Sequence, residues 1–199
     1  MKNELIIKIP EYLKKVDTDV EYPGNITSYE SKTDSYKAFM VVVCQSNEKI
    51  AIPDNKQIII DGMHKVLTDD QGLIEVDMGL TKKQNKYNYS IIKSKLIPSG
   101  IQYTLNMNVY MDNQVVQIST SFDEIGITGS RDSTIMSKLI SDGIIIPPNM
   151  DGWFKDPYDD NYKKGILMNT SEDVKYDEMF PNHPLTILRN FVKYILDNN

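Results

Sequence analysis

The residues best suited to chemistry are Gly126-Ile127-Thr128-Gly129-Ser130-Arg131-Asp132, which join a strand-like run to a helical one. Two glycines let successive backbone N–H groups turn toward one point. A following helix N-terminus favours negative charge, and Arg131 can clamp a phosphate or a carboxylate. Thr128, Gly129, Ser130 and Arg131 are therefore the candidate ligand-binding residues. The stretch lacks the Gly-Lys-Ser/Thr ending of a phosphate loop, and it is not a G-x-G-x-x-G opening a βαβ unit. The simpler reading is a structural turn, with Thr128 or Ser130 as a helix cap and Arg131 paired to an acid such as Asp123 or Glu124.

The other chemical groups are sparse. Asp156, Asp159, Asp160 and Asn161 crowd together, but a calcium loop needs a D-x-[DN]-x-[DN]-G pattern with a distal Glu, and the spacing fails. One cysteine and two distant histidines, His64 and His183, match no zinc spacing, so no metal is expected. No G-x-S-x-G elbow is present. His183, between Asn182 and Pro184, reads as a cap or hydrogen-bonding group. The carboxylate pairs Asp123–Glu124, Glu172–Asp173 and Asp177–Glu178 are adjacent in sequence, so they point to different sides. They do not form the opposed pair of a glycosidase. The expectation is a non-catalytic chain without a cofactor.

Composition narrows the partners. A net charge of −6 over 199 residues argues against a general nucleic-acid binder, which needs a basic patch. No run approaches the length of a membrane span or of a secretory apolar core, so neither membrane insertion nor export is expected. Cys44 lies in the apolar run FMVVVC and reads as a small buried residue of a cytoplasmic, reducing compartment.

Periodicity supplies the elements that would carry these groups. Leu5–Ile9 reads as a short strand and Glu11–Val16 as a helical turn. Tyr22-Pro23-Gly24-Asn25 reads as a tight turn. Tyr36–Cys44 is apolar at both parities, which predicts a strand buried on both faces. Asp54 and Gln57 suggest a capping box for a helix with the stripe Ile58, Ile59, Met63, Val66 and Leu67. That helix would end at Asp69-Asp70-Gln71-Gly72. Three strands follow, Tyr87–Leu96, Ile101–Tyr110 and Val115–Phe122. The middle one alternates cleanly, as a strand with one wet face does. A helix over Asp132–Asp142 has the stripe Ile135, Met136, Leu139 and Ile140 and stops at Gly143. Helices with one apolar stripe each, packed on amphipathic strands, predict an α+β fold: an α/β/α-type sandwich around a mostly antiparallel sheet.

Pro147-Pro148 divides this block, residues 1–148, from an arm at 149–199. The arm has no sustained period but many large apolar groups, with Trp153, Phe154, Tyr158, Tyr162 and Phe180 as candidate partner contacts. Ser171-Glu172-Asp173 reads as a cap starting a short helix. A last helix begins near Pro184, with Leu185, Leu188, Phe191, Val192, Ile195 and Leu196 as its stripe. The arm packs on its own sheet or crosses to a second copy or another partner. The first reading is favoured because monomers expose limited apolar surface.

The element order over Leu5–Gly143, and above all the helix-then-meander segment Asp54–Phe122, resembles the superfamily that includes the photosystem extrinsic protein PsbP, the DcrB-like proteins and the Ran-binding Mog proteins. The stretches Asp69–Val76, Phe122-Asp123-Glu124 with Gly129-Ser130-Arg131-Asp132, and Tyr176–Leu185 also resemble an uncharacterised Firmicutes-type family, which implies a bacterial origin. The superfamily resemblance implies a protein-binding accessory module, and the chain is expected as a monomer or a homodimer. Two alternatives stand beside it: an anion- or phosphate-ligand protein or enzyme working at Thr128–Arg131, and a subunit that self-assembles through the arm.

Overall fold

The computed structural model of the chain describes residues 7–17, 25–46 and 50–199. One antiparallel sheet is built from β1 (Lys14–Val16), β2 (Asn25–Lys32), β3 (Tyr36–Ser46), β4 (Gln71–Leu80), β5 (Lys86–Lys95), β6 (Ile101–Met111) and β7 (Gln114–Glu124). Its seven strands lie in the order β1-β2-β3-β7-β6-β5-β4. Helix α1 (Lys56–Val66) carries the chain from β3 past three strands to the far edge. Helix α2 (Ser130–Ser141) follows β7. A two-stranded ribbon, β8 (Phe154–Lys155) with β9 (Met168–Asn169), comes next, then two 3₁₀ helices, Thr170–Glu172 and Val174–Met179, and finally α3 (Pro184–Asn198). The architecture is the expected α+β class.

Register explains the layers. Tyr103, Leu105, Met107 and Val109 of β6 stand opposite Phe122, Thr120, Ile118 and Val116 of β7, and these side chains share one buried face. Helix α3 covers that face with Leu185, Leu188, Phe191, Val192 and Ile195, all within the main core. Each such side chain contributes about 1.5–3 kcal/mol when fully buried, so docking rather than helix propensity holds α3 in place. The main core thus draws on residues from both sides of Pro148. On the opposite face, α1 packs Ile60 and Leu67 against Leu73, Val76 and Ile92. Elsewhere on that face a polar row crosses the central strands. Asn88, Asn108, Gln117 and Gln45 hand amide hydrogen bonds along neighbouring strands, which is the wet face the β6 alternation predicts.

Several expectations are corrected. Ile7 to Ile9 is not a strand, and Leu5 and Ile6 lie outside the described residues. The expected helical turn at Glu11–Val16 is a turn that leads into β1. Tyr22-Pro23-Gly24 also lies outside the described residues. Strand β3 is buried on one face only; its other face keeps Phe39 exposed, because no helix among the described residues covers that side of β3. Helix α1 is capped by Asn55, whose side chain accepts the Ile58 N–H, and not by Asp54. Its buried stripe is rotated, so Ile60 is inside while Ile58 and Val66 are exposed. Gly72 does not end the helix. It sits in β4, a strand the helix-stop pattern concealed, and β2 is a further strand.

The arm returns over its own chain. Trp153 is 1% exposed in a satellite cluster with Ile135, Leu139 and Ile145. Beyond it the chain crosses the β4 edge as a strap, with Ile166 N–H donating to Gln71 O at 3.0 Å. A Cβ on Gly72 would stand 1.8 Å from Ile166 O, and one on Gly165 (φ +76) would stand 2.1 Å from Gln71 O. Only glycine permits this approach of two backbones.

Candidate functional site

One end of the sheet gathers three loops. After β7, Gly126 and Gly129 both take φ +71, in the left-handed region that favours glycine. A Cβ on Gly126 would stand 2.6 Å from Asp34 O, so the β2–β3 turn presses directly on this loop. Ile125 N–H donates to Ser35 O at 3.1 Å, and Thr128 Oγ1 lies 3.5 Å from Ser99 Oγ in the β5–β6 turn. Glu124, the last residue of β7, accepts Gly129 N–H at 2.8 Å and Ile101 N–H at 3.3 Å. The loops are therefore tied to one another and to the sheet. They carry Ile97, which is 96% exposed, and Ile127, which is 87% exposed.

Between these loops and the start of α3 lies a cavity of about 240 Å³, lined by residues that include Ser35, Glu124, Ile127, Ser130, Phe180 and His183. His183 is the N-cap of α3. Its Nδ1 accepts Leu185 N–H at 3.3 Å, which places the proton of the neutral ring on Nε2. Nε2 stands 3.8 Å from Glu124 Oε1, beyond hydrogen-bond reach. Burial, with Arg131 and Arg189 nearby, pushes His183 down to about 3, so the ring is uncharged at neutral pH. Burial pushes Glu124 up despite its two backbone N–H donors. Burial thus works against charge on both groups.

Of the anion-loop candidates, Ser130 lines this cavity and Gly129 holds Glu124, while Thr128 spends its hydroxyl on Ser99. Arg131 points the other way. It is fully buried, with Nε on Ser171 O (2.7 Å), Nη1 on Thr186 Oγ1 (3.1 Å), and Nη2 on Asp173 O (3.2 Å) and Asp177 Oδ1 (2.9 Å). Its acid partner is Asp177, from the arm, in place of the neighbouring Asp123 or Glu124. Arg189 of α3 shares Asp177 and also holds Glu75 Oε2 at 2.9 Å. A second buried pair, Lys93 Nζ to Glu172 Oε2 at 2.7 Å, sits beside them. Glu172 also accepts Tyr103 Oη–H and Asn169 N–H. Both pairs tie the arm to the sheet and its helices.

The partner-contact candidates are divided. Trp153 is buried. Tyr158 donates its hydroxyl to Val76 O at 3.1 Å, and Tyr162 stacks on His64 at 4.0 Å between ring centres. Phe180 lies 5.7 Å from the Arg131 guanidinium carbon and lines the cavity. Phe154 is 56% exposed. The acids of the arm turn to local tasks: Asp156 accepts the Tyr158 and Asp159 N–H groups and pairs with His64 at 3.0 Å. Among the described residues, no three His, Cys, Asp or Glu side chains gather as metal ligands would, and no helix is long and apolar enough to cross a membrane. Sequence reasoning did not join Glu124 to His183. The available signal was His183 before Pro184 at a helix start, which marks an N-cap and so a ring fixed in direction.

No family model matches the chain, and no curated protein does. Among solved structures it is similar to the Ran-binding protein Mog1p of Saccharomyces cerevisiae, at 13% identity and a TM-score of 0.40, over 66% of this chain and 77% of that one. It is also similar to PA94 of Pseudomonas aeruginosa, a protein of unknown function, at 8% identity and a TM-score of 0.37, over 68% of this chain and 97% of that one. At TM-scores this low neither similarity transfers an activity or a partner.

Proposed function

We propose that the chain is a non-catalytic, protein-binding accessory module that docks its partner on the three-loop end. The observation that carries this reading is the pair Ile97 and Ile127. Large aliphatic side chains almost wholly in water, on loops held by hydrogen bonds and glycine contacts, lose little further freedom when a partner covers them. The cavity beside Ile127 offers a recess for one partner side chain, with a neutral imidazole and a carboxyl to orient it. The absence of catalysis is part of the proposal. His183 and Glu124 each carry a structural task, capping α3 and closing the loop. A bacterial, cytoplasmic setting completes it, supported by the single thiol Cys44, which is half-buried and whose pKa burial raises.

The test is affinity capture from a lysate of the native cells with the wild-type chain and with Ile97→Asp/Ile127→Asp. Both positions face water, so melting should be unchanged, and a partner held by the wild type should be lost from the variant. Equal capture by both proteins, or turnover of a small molecule that Glu124→Gln and His183→Gln abolish, overturns the reading.

A further inference from the structure

A second cavity lies far along the arm, between the strap and the β5–β6 end of the sheet. It holds about 420 Å³, within the size range of small-molecule sites. We propose that it is a binding site for a small amphipathic carboxylate, an aliphatic or aromatic body ending in one anionic group.

The body would lie against apolar side chains. Ile101, Ile166 and Leu167 line the cavity and are half-buried, and Phe154 leaves more than half of its surface in water at the rim. An exposed phenyl ring beside partly covered aliphatics is a surface that gains by being covered.

The charges select the anion. The lining contains three cations, Lys93, Lys95 and Lys163, and one acid, Asp132, in a chain of net charge −6. Asp132 is already engaged, with Oδ1 accepting Ser171 Oγ–H at 2.5 Å and Oδ2 accepting Asn169 Nδ2–H at 3.0 Å. Among the described residues neither Lys95 nor Lys163 has a carboxylate within ion-pair distance; Lys95 acts at longer range on Asp70, and Lys163 Nζ reaches the Asp160 carbonyl, at 2.6 Å. Lys93 is the decisive group. Its side chain is 4% exposed, and its ammonium has three N–H donors, yet among the described residues it meets a single acceptor, Glu172 Oε2. Glu172 also accepts Tyr103 Oη–H and Asn169 N–H, so its charge is shared among three donors. A buried ammonium with donors to spare, lining an apolar cavity whose mouth carries two more cations, complements a carboxylate with an apolar tail. A phosphate without a tail would leave Phe154 and Ile166 uncovered.

The site flanks the β5–β6 turn but shares no lining residue with the cavity beside His183, and it stands independently of the docking reading. The test uses the full chain and three probes of equal length: octanoate, 1-octanol and octylammonium. Titration is followed by calorimetry and by backbone amide NMR. Octanoate should bind saturably, with shifts centred on Phe154, Ile166 and Asn169, and the alcohol and amine should bind far more weakly. The double variant Lys95→Ala/Lys163→Ala changes only exposed side chains. It should fold normally and bind octanoate about tenfold more weakly, two exposed ion pairs at several-fold each. Lys93→Met should remove the preference for octanoate over octanol; if it fails to fold, the double variant still decides. Equal affinity for octanol and octanoate, unchanged affinity in the double variant, shifts centred elsewhere, or no saturable octanoate binding each overturn the proposal.

Discussion

Replacing Arg131 by Met should cost about 3–5 kcal/mol of stability, the loss expected when one partner of a buried charge pair is removed. The structure accounts for the size. Methionine retains most of the apolar stem but deletes every guanidinium donor. The Ser171 carbonyl is then left orphaned, at about 1–3 kcal/mol, while the Asp173 carbonyl keeps Tyr176 N–H and the Thr186 hydroxyl keeps Asp177. Asp177 is spared full isolation because Arg189 Nη1 reaches both of its oxygens at 3.0 and 3.2 Å, which keeps the figure near the middle of the range. Urea unfolding followed by circular dichroism measures the change, and melting should fall by roughly 6–20 °C at about 2–4 °C per kcal/mol. Trp153 emission gives a second readout, because the same loss frees the arm and should expose the indole before the sheet unfolds. Arg131→Lys keeps the charge without the planar fork and should fall between. A loss under about 1 kcal/mol, the scale of a surface pair, would refute the argument that Arg131 is a structural tie.

Three further outcomes are expected. Trp153→Ala should destabilise by about 3–5 kcal/mol by emptying the cluster around Ile135, Leu139 and Ile145, measured by denaturant titration. Gly72→Ala must push Ile166 O away from a Cβ placed 1.8 Å from it, so amide exchange at Ile166 should accelerate and stability should fall by about 1–3 kcal/mol. His183 binds its proton less readily in the folded state, near pH 3, than in the unfolded chain, near the ordinary imidazole value of 6.5. Its contribution is intact above pH 6.5 and is lost progressively as pH falls toward 3. Comparing stability–pH curves of the wild type and His183→Gln isolates that slope. Glu124, whose folded pKa is raised, tilts the same curve the opposite way, favouring the fold at low pH and less so as pH rises through its folded pKa.

The parts legible in the sequence are those where local pattern and tertiary burial agree. Strand β6 alternates because one face meets α3 and the other meets water, and α3 announces itself by Pro184 and a continuous stripe. Strand β4 was hidden for two physical reasons. Asp69-Asp70-Gln71-Gly72 has the chemistry of a helix stop, while Gly72 is there to admit the strap. A bulge between Leu73 and Glu75 also breaks the alternation a strand should display. Strand β2 escaped because NITSYESK is polar at both parities, with Tyr29 and Ser28 its buried side chains. At the site, Glu124 and His183 meet only through the fold. The true partner of Arg131, Asp177, lies beyond the reach of any local pairing rule.

The position of α3 also dictates the timing of folding. The helix that completes the main core follows every strand it covers, and the Asn199 side chain bonds the backbone of Lys8 on both its N–H and its carbonyl. A chain still emerging from the ribosome can form the β5–β6–β7 meander but must leave the apolar face of that sheet in water until α3 is released. Such a face is open to chance association with other nascent chains. Completion of the core therefore rests on contacts between distant parts of the chain, the regime in which folding is slow.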